Sequence, residues 1–159
     1  EYVKGNNARI ISGNVFTGEQ IARDGFLGFY ADTISAIPEG KQTDFMGWVL
    51  PGFGKFSVSK TFSAFLSPNK KYDLNTGMHG EERAFVVSGE YEKVFPFDIY
   101  PQFLLRAILT RNVEKMEELG IYEVVEEDFA LAEVICTSKI PLQKIVNEGL
   151  SFLKKEMGH

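Results

Sequence analysis

The sequence predicts an α+β protein with a β-rich first part, to about residue 95, and a small helical bundle after it. Runs of β-branched and aromatic residues, bounded by glycine and proline, fill the first part. Apolar residues recur at helical spacing after Pro101. The chain has 159 residues, 44% of them apolar and 25% charged, which is the composition of a globular protein that can bury a core.

Two stretches near the start of the chain predict strands. Residues 8–16 (ARIISGNVF) are β-branched, and Gly13 within them predicts a bulge or a close approach of two backbone segments. Residues 25–37 (GFLGFYADTISAI) predict the next strand region, which the turn signal Pro38-Glu39-Gly40 closes. Further β-like stretches follow at residues 48–53, 53–66 and 84–95.

Three helices are predicted in the second part. The first begins at Pro101 and ends at Gly120, and the second begins with the acids at 126–128 and stops before Pro141. The third begins at Pro141 and carries an amphipathic stripe. Gly149 lies inside it at a cost of about 1 kcal/mol relative to alanine, which predicts a close contact with another helix.

Several functional classes are excluded by composition and spacing. The run GWVLPGFGK (47–55) fits neither a phosphate loop nor a dinucleotide fingerprint, because its lysine comes too late and a serine replaces the third glycine. A net charge of −5 without a basic patch excludes nucleic-acid binding. No apolar run reaches the roughly 18 residues of a membrane-spanning helix.

His79 is the only internal histidine, and it stands close to Glu82 and Arg83. These three residues could form an acid–base or binding cluster. Without a second histidine or a cysteine nearby, the sequence favours the other interpretation, a loop histidine in a turn beside an Arg–Glu ion pair. A Ser-His-Asp triad cannot be recognised, because every such triad would need this one imidazole.

Two further surfaces leave alternatives open. The aromatics before and within the first helix are unusually many, and they predict either core packing or an apolar docking patch: Phe95, Phe97, Tyr100 and Phe103. The run from Glu114 to Glu133 has eight acids and one lysine. It predicts either a solvated face or a docking surface for a basic partner.

Cys136 is the only cysteine, which excludes an internal disulfide and suits a reducing compartment. Ferredoxin-type clusters use the spacing C-x₂-C-x₂-C-x₃-C-P. If Cys136 takes the third position, the fourth falls on Ile140, with Pro141 after it, and the first two fall on Ala130 and Glu133. One thiolate cannot hold a four-iron cluster, so no cluster is expected through this segment, and Cys136 is a degenerate cluster-ligand position only if the chain resembles a cluster-binding family.

Five segments occur along the chain in a distinctive order: RIISGNVFTGE, FLGFYADTISAIPEG, GWVLPGFGKFSVSKTFSAFL, HGEERAFVVSGEYEKVFPFDIYPQFLLRAIL and LGIYEVVEEDFALAEVIC. This succession resembles the A-subunit family of sodium-translocating NADH:quinone reductases across essentially the whole chain. HGEERAF followed by YEKVFPFDIYPQFLLRAIL is its most specific part. The likeness covers roughly the C-terminal third of that subunit, and the chain opens with Glu1 rather than Met, so we expect a piece of a longer protein.

The resemblance implies a fold and a location. The family is similar to the C subunit of the Rnf complex and to the flavin- and NADH-binding subunit of complex I, in which a β-grasp-like (SLBB) module precedes a cluster-binding helical bundle. Residues 1–45 would then be the β-grasp-like module, 46–96 a β-rich connecting segment and 97–159 a degenerate iron–sulfur-binding bundle. The implied location is the cytoplasmic face of the bacterial inner membrane, peripheral to it.

The resemblance also implies a role in a complex that oxidises NADH, reduces ubiquinone and exports Na⁺. Flavins, the iron–sulfur centre and quinone belong to the whole complex, and no cofactor is expected in this chain. The expected partners are the other subunits, chiefly the membrane B subunit, and the N-terminal remainder of the same polypeptide, with quinone a further candidate at the interface. The alternative is an autonomous ligand-binding module that uses the β-grasp-like part, and an enzyme built on the histidine cluster ranks third.

Overall fold

The computed structural model describes residues 7–40, 49, 52–56, 58, 66, 69–72, 74–78 and 80–158. Within this part of the chain there are three strands and four α-helices. The chain forms two compact units, Glu1–Gly80 and Glu81–His159. A small antiparallel sheet together with helices is an α+β architecture, as the sequence predicted.

The first unit contains a three-stranded antiparallel sheet in the order β2-β1-β3. Its strands are β1 (Ala8–Ser12), β2 (Glu19–Ile21) and β3 (Ile34–Pro38). The central strand holds the buried residues Ile11 and Ser12. Pro38 lacks a backbone donor, which is acceptable at the end of an edge strand.

An ion pair joins the beginning of β1 to the residue after β3. Arg9 donates from Nη2 and Nε to the two carboxylate oxygens of Glu39, at 2.6 and 3.1 Å. Hydrogen bonding to Arg9 is the main cause that lowers the pKa of Glu39 below its ordinary value. The pair therefore fixes the register of β1 against β3 most firmly when Glu39 is ionised.

Two strand predictions were too long. β1 ends at Ser12 because Gly13 has a φ of +98° and the Asn14 side chain accepts the backbone N–H groups of Phe16 and Thr17 at 2.7 and 2.9 Å. The Gly13 N–H donates to the carbonyl of Thr33 at 2.8 Å, so the predicted close approach of two backbone segments is confirmed. The second strand region begins only at Ile34, and residues 25–33 form a loop. β2 was not predicted, because three residues are too few to show a period.

The β-like stretch at 84–95 is not a strand. It has no regular structure up to Glu90 and then makes a 3₁₀ turn, Tyr91–Lys93. Side chains take the place of a neighbouring strand: the Ser88 N–H donates to Gln102 Oε1 at 2.7 Å, and Ser138 Oγ donates to the Ala84 carbonyl at 2.9 Å. The predicted strands at 48–53 and 53–66 lie largely outside the described residues.

The second unit is helical. Its α-helices are α1 (Pro101–Leu109), α2 (Val113–Glu118), α3 (Ala130–Ile135) and α4 (Leu142–Glu156). Short 3₁₀ segments lie before α3, at Ile121–Glu123 and Glu126–Phe129. These elements share one hydrophobic core, whose fully buried members include Leu104, Leu105, Met116, Ile121, Phe129, Leu142 and Val146. Phe85, Val94 and Phe95 pack against this core, so residues before position 97 belong to the same unit.

The predicted single helix from Pro101 to Gly120 is two helices. Arg111 has a φ of +51°, so the chain turns after α1 and does not continue as the same helix. Asn112 then caps α2, because its side-chain oxygen accepts the Lys115 N–H at 3.0 Å. Gly120, with a φ of +83°, ends this segment as predicted. The second predicted helix starts at Glu126 as a 3₁₀ turn and ends at Ile135, well before Pro141.

The close helix contact predicted at Gly149 is confirmed. A Cβ at this position would lie 2.7 Å from Cγ2 of Ile108, so α1 and α4 approach to a distance that only glycine allows. The apolar stripe predicted for α4 faces the core, with Leu142, Val146 and Leu153 buried.

Candidate docking surface

The aromatic residues around the start of α1 divide into two groups. Phe95 is half-buried, and its ring centroid lies 4.8 Å from that of Phe129, a fully buried core residue. It also contacts Phe97 edge to face at 5.9 Å. Phe95 therefore belongs to the core side of the segment.

The other three aromatics remain open to solvent, and we call them the aromatic patch: Phe97, Tyr100 and Phe103, which are 46%, 65% and 48% exposed. The Tyr100 and Phe103 rings meet edge to face at 6.1 Å. Tyr100 is the residue before α1. Phe103 lies within that helix and is exposed, whereas its sequence neighbours Gln102 and Leu104 are buried. Tyr100 and Phe103 therefore form a partly exposed apolar surface at the start of α1, and Phe97 is exposed on the segment that leads into this helix.

Gln102 fixes this helix start from inside. Its side chain is fully buried, accepts the Ser88 N–H at 2.7 Å and donates to a carboxylate oxygen of Glu92 at 3.3 Å. Sequence reasoning did not identify this residue. The available signal was a polar residue in an otherwise apolar first turn, since a buried amide requires partners.

The predicted polar cluster is only partly described. His79 lies outside the described residues, and Glu82 and Arg83 are both exposed. The backbone N–H of Arg83 donates to the carbonyl of Ser138 at 2.8 Å, so this residue ties the start of the unit to the turn after α3.

Glu82 lines an open groove with a volume of about 290 Å³. The groove is lined by apolar residues, among them Phe85, Ile140 and Ile145, and by the charged residues Glu82, Lys144 and Glu148. The groove combines charges of both signs with an apolar lining. Its chemistry does not select one class of ligand.

Cys136 is completely buried, and its Sγ lies 2.9 Å from the hydroxyl oxygen of Tyr91. Tyr91 is 2% exposed. Burial, and then the hydrogen bond with Cys136, raise the pKa of the Tyr91 phenol well above its ordinary value. The thiol is thus a core group with a hydrogen-bond partner.

The residues at the cluster register do not fit an iron–sulfur cluster. Cys136 is the one sulfur, Ala130 and Ile140 are buried apolar residues, and Glu133 accepts the Gln143 N–H at 2.9 Å at the start of α4. Iron–sulfur clusters are held by several cysteine thiolates, so the residues at this register cannot hold one. Among the described residues, no group of three or more His, Cys, Asp or Glu side chains could hold a metal ion.

The acid-rich run from Glu114 to Glu133 is spread over several short elements rather than one helical face. Four of its acids have hydrogen-bond partners in the same unit: Glu117 accepts from the Tyr122 hydroxyl, Glu126 from Asn147, Asp128 from the Val125 N–H and Glu133 from Gln143. The other four are exposed: Glu114, Glu118, Glu123 and Glu127. Half of the acids in this run therefore form hydrogen bonds within the helical unit.

No α-helix in the described ranges has both the length and the apolar character needed to cross a bilayer.

No family model matches the chain. Curated relatives match it over most of its length and are named as the A subunit of the Na(+)-translocating NADH-quinone reductase. The relative from Rhodopirellula baltica is 41% identical over 93% of this chain and 33% of its own length. Those from Hahella chejuensis and Shewanella frigidimarina are 37% and 35% identical over 97% and 96% of this chain, and over 35% and 34% of their own lengths. The chain thus spans about a third of the length of the curated relatives it matches.

Proposed function

This chain is homologous to about one third of the A subunit of Na(+)-translocating NADH-quinone reductases, and we propose that it is a structural and docking part of such a complex. The alignment along nearly the whole chain is the observation that carries this proposal. The complex oxidises NADH, reduces ubiquinone and transports Na⁺ in the respiratory chain, and this chain acts in it as a peripheral part on the cytoplasmic face of the bacterial inner membrane.

The chain has no redox centre of its own in this proposal. The donor set around Cys136 supports this, because the only thiol is enclosed in the core and paired with Tyr91. Electron transfer then takes place on the flavins and the iron–sulfur centre of other subunits. The helical unit keeps the turn at 136–141 as a packing element.

A β-grasp-like first unit is part of this proposal, and the sheet of that unit is the observation that supports it. Its antiparallel sheet, with β1 between β2 and β3, provides a small surface formed by residues 8–38. We assign residues 1–45 to this SLBB-type module and 97–159 to the degenerate bundle, whose core is completed by residues of the preceding segment from Phe85 onward. A ligand that the module kept as an autonomous function would raise the thermal stability of the chain, and this is how the alternative hypothesis is tested.

The aromatic patch is the docking surface of the helical unit, and the membrane B subunit is its partner. Three aromatics between 46% and 65% exposed are suited to a contact surface, because aromatic side chains contribute large apolar area at interfaces. The hydrogen bonds of Gln102 hold the backbone beneath them. An apolar aromatic surface also suits the neighbourhood of a quinone, so we place the quinone-site region close to this contact.

Photo-cross-linking in the assembled complex tests the proposal. A photoreactive amino acid at Tyr100 should cross-link to the membrane B subunit, whereas one at Leu131, a similarly exposed residue on α3, should not. A quinone analogue should lower the yield at Tyr100. If Leu131 cross-links to that membrane protein and Tyr100 does not, the contact lies elsewhere and the patch is refuted.

An enzymatic function built on His79, Glu82 and Arg83 has the least support. The Arg83 backbone already has a structural role, and both described side chains are exposed. The variant His79→Ala should leave NADH:quinone turnover of the complex unchanged. A large loss of turnover in a complex that still assembles would bring this hypothesis back.

A further inference from the structure

Asp24 and Gly25 form the only Asp-Gly pair in the chain, and no Asn-Gly pair occurs. They lie in the connection between β2 and β3, and both residues are exposed. The backbone nitrogen of a residue that follows an aspartate can attack the aspartate side chain, and glycine shields this nitrogen least because it has no Cβ. The pair is therefore a reactive position that the proposed function does not involve.

A hydrogen-bonded turn holds the nitrogen of Gly25. Its N–H donates to the Ala22 carbonyl at 3.0 Å, and Arg23 and Asp24 are the two central residues of the turn. A Cβ at position 25 would lie 3.0 Å from the Ala22 carbonyl oxygen and 3.3 Å from the Ala22 nitrogen, closer than most Cβ atoms approach other atoms. The residue that fits this tight turn is thus the residue that makes Asp24 reactive.

We propose that Asp24 is a site of isoaspartate formation in this chain and that the turn controls the rate. The Gly25 nitrogen attacks Cγ of the protonated Asp24 carboxyl group. The N–H proton and the carboxyl OH leave together as water, and a succinimide ring remains. Water then adds to one of the ring carbonyls. Opening at the main-chain carbonyl of Asp24 gives isoaspartate, whereas opening at Cγ restores aspartate.

The turn slows this reaction without preventing it. The Gly25 nitrogen must lose its proton when it attacks, and an N–H that donates to the Ala22 carbonyl is less able to lose it. Exposed turns open locally at a small cost in free energy. A reaction of the open form follows the population of that form when opening and closing are fast. Asp24 should therefore react in the folded chain, and faster in the unfolded chain.

The product has a different main-chain length from the turn that it replaces. Isoaspartate adds one carbon to the main chain between positions 24 and 25. The chain is fixed on both sides, because Ile21 pairs with Ile10 in the sheet and the Gly28 N–H donates to Oγ of the buried Ser12 at 2.9 Å. The extra carbon therefore falls within the turn and disrupts its hydrogen bond. The inference does not depend on the proposed function, since the reaction needs only water and two adjacent residues.

Mass spectrometry of the aged chain is the first test. The chain is incubated at neutral pH and body temperature, with and without urea, and is digested with a glutamate-specific protease to give peptide 20–39. This peptide also contains Asp32, an internal control because Thr33 after it has a β-branched side chain that shields its nitrogen. Electron-transfer fragmentation distinguishes isoaspartate from aspartate at each position. Isoaspartate should form at Asp24 and not at Asp32, and several-fold faster in urea.

Two variants supply the second test, and both are compared with the unmodified chain in urea, so that a change in folding has no effect. Gly25→Ala should lower the rate of isoaspartate formation several-fold, because the added Cβ shields the attacking nitrogen. Asp24→Glu should abolish the signal at position 24, because the larger ring closes far more slowly. An unchanged rate for Gly25→Ala would refute the role of glycine.

The other outcomes also decide the proposal. Isoaspartate at Asp24 only in urea would show that the folded chain does not react there, which would overturn the site. Equal rates with and without urea would overturn the control by the turn. Equal amounts at Asp24 and Asp32, or none at Asp24 under either condition, would show that the Asp-Gly pair is not a preferred position of reaction.

Discussion

The Tyr91 hydroxyl and the Cys136 thiol lie 2.9 Å apart in the core, so each has a hydrogen-bond partner inside the protein. A thiol in this position is closed off from solvent. The pair instead satisfies two polar groups that would otherwise be buried without a partner. Stability, rather than reactivity, is the property that changes when either residue is replaced.

The phenol of Tyr91 should make the stability of the chain sensitive to alkaline pH. Burial and the hydrogen bond with Cys136 raise its pKa above the ordinary value of 10.0, so the phenolate forms more easily in the unfolded chain. The stabilisation is complete below about pH 10 and is lost as pH rises towards the folded-state pKa. Relative to Tyr91→Phe, the free energy of unfolding should fall by up to about 1.4 kcal/mol per pH unit above pH 10.

Urea unfolding of both proteins between about pH 8 and about pH 11 measures this difference. Tyr100→Phe is the matched control for the loss of a phenol hydroxyl, since Tyr100 is 65% exposed and lies outside the core. Parallel profiles for the Tyr91→Phe variant and the unmodified chain would contradict the prediction.

Replacement of Cys136 should separate its packing role from a redox role. Serine can keep the hydrogen bond to Tyr91, so Cys136→Ser should lower the free energy of unfolding by about 1 kcal/mol. Cys136→Ala should cost more, about 1–3 kcal/mol, because it leaves a buried hydroxyl without a partner. Denaturant unfolding gives both values, and NADH:quinone turnover of the assembled complex should stay unchanged. A loss of turnover in a fully assembled Cys136→Ser complex would show that the thiol takes part in electron transfer.

Between elements, the α1–α4 contact is a very tight approach in the helical unit. A Cβ at Gly149 would lie 2.7 Å from Cγ2 and 3.1 Å from Cγ1 of Ile108, atoms that cannot move apart without rotation of a β-branched side chain. Overpacking typically costs about 1–3 kcal/mol, and alanine regains about 1 kcal/mol of helix propensity. Gly149→Ala should therefore lower the free energy of unfolding by up to about 2 kcal/mol.

A double-mutant cycle gives this prediction its control. In an Ile108→Ala background the clashing atoms are absent, and Gly149→Ala should be neutral or stabilise by up to about 1 kcal/mol. The same destabilisation in both backgrounds, measured by urea unfolding, would mean that the contact with Ile108 is not its cause.

The elements that were predicted correctly are those in which helical periodicity and the positions of glycines indicate the same structure. The elements that were missed depend on the conformation or the hydrogen bonds of individual residues. The α4 stripe, the end at Gly120 and the contact at Gly149 followed from period and glycine position. The break between α1 and α2 depends on Arg111 in a left-handed conformation, which no residue preference indicates for arginine. Residues 84–90 have β propensity, but Gln102 and Ser138 supply the hydrogen bonds that a neighbouring strand would have made.

For the whole molecule, composition and periodicity predicted a globular α+β chain but did not locate its contact surfaces. The four aromatics around α1 were recognised as one set, whereas burial divides them, because only Phe95 reaches Phe129. The exposed aromatics of the loop at residues 25–33 were predicted as part of a strand, because their sequence fits a strand pattern equally well. Exposure is a property of the folded units, so a sequence pattern cannot assign an aromatic residue to core or surface.

Removal of the aromatic patch should weaken assembly while the chain itself stays folded. Combined Phe97→Ser, Tyr100→Ser and Phe103→Ser substitutions remove apolar side chains that are about half exposed, so they should lower co-purification of the membrane B subunit about tenfold or more. Because the contact is apolar, the loss should be similar at low and high salt. Val125→Ser, Leu131→Ser and Val134→Ser together form the matched control, with three similarly exposed apolar residues on the same unit. Equal losses in both triple variants would indicate a general loss of solubility or folding, and a loss in the control alone would move the docking surface to α3.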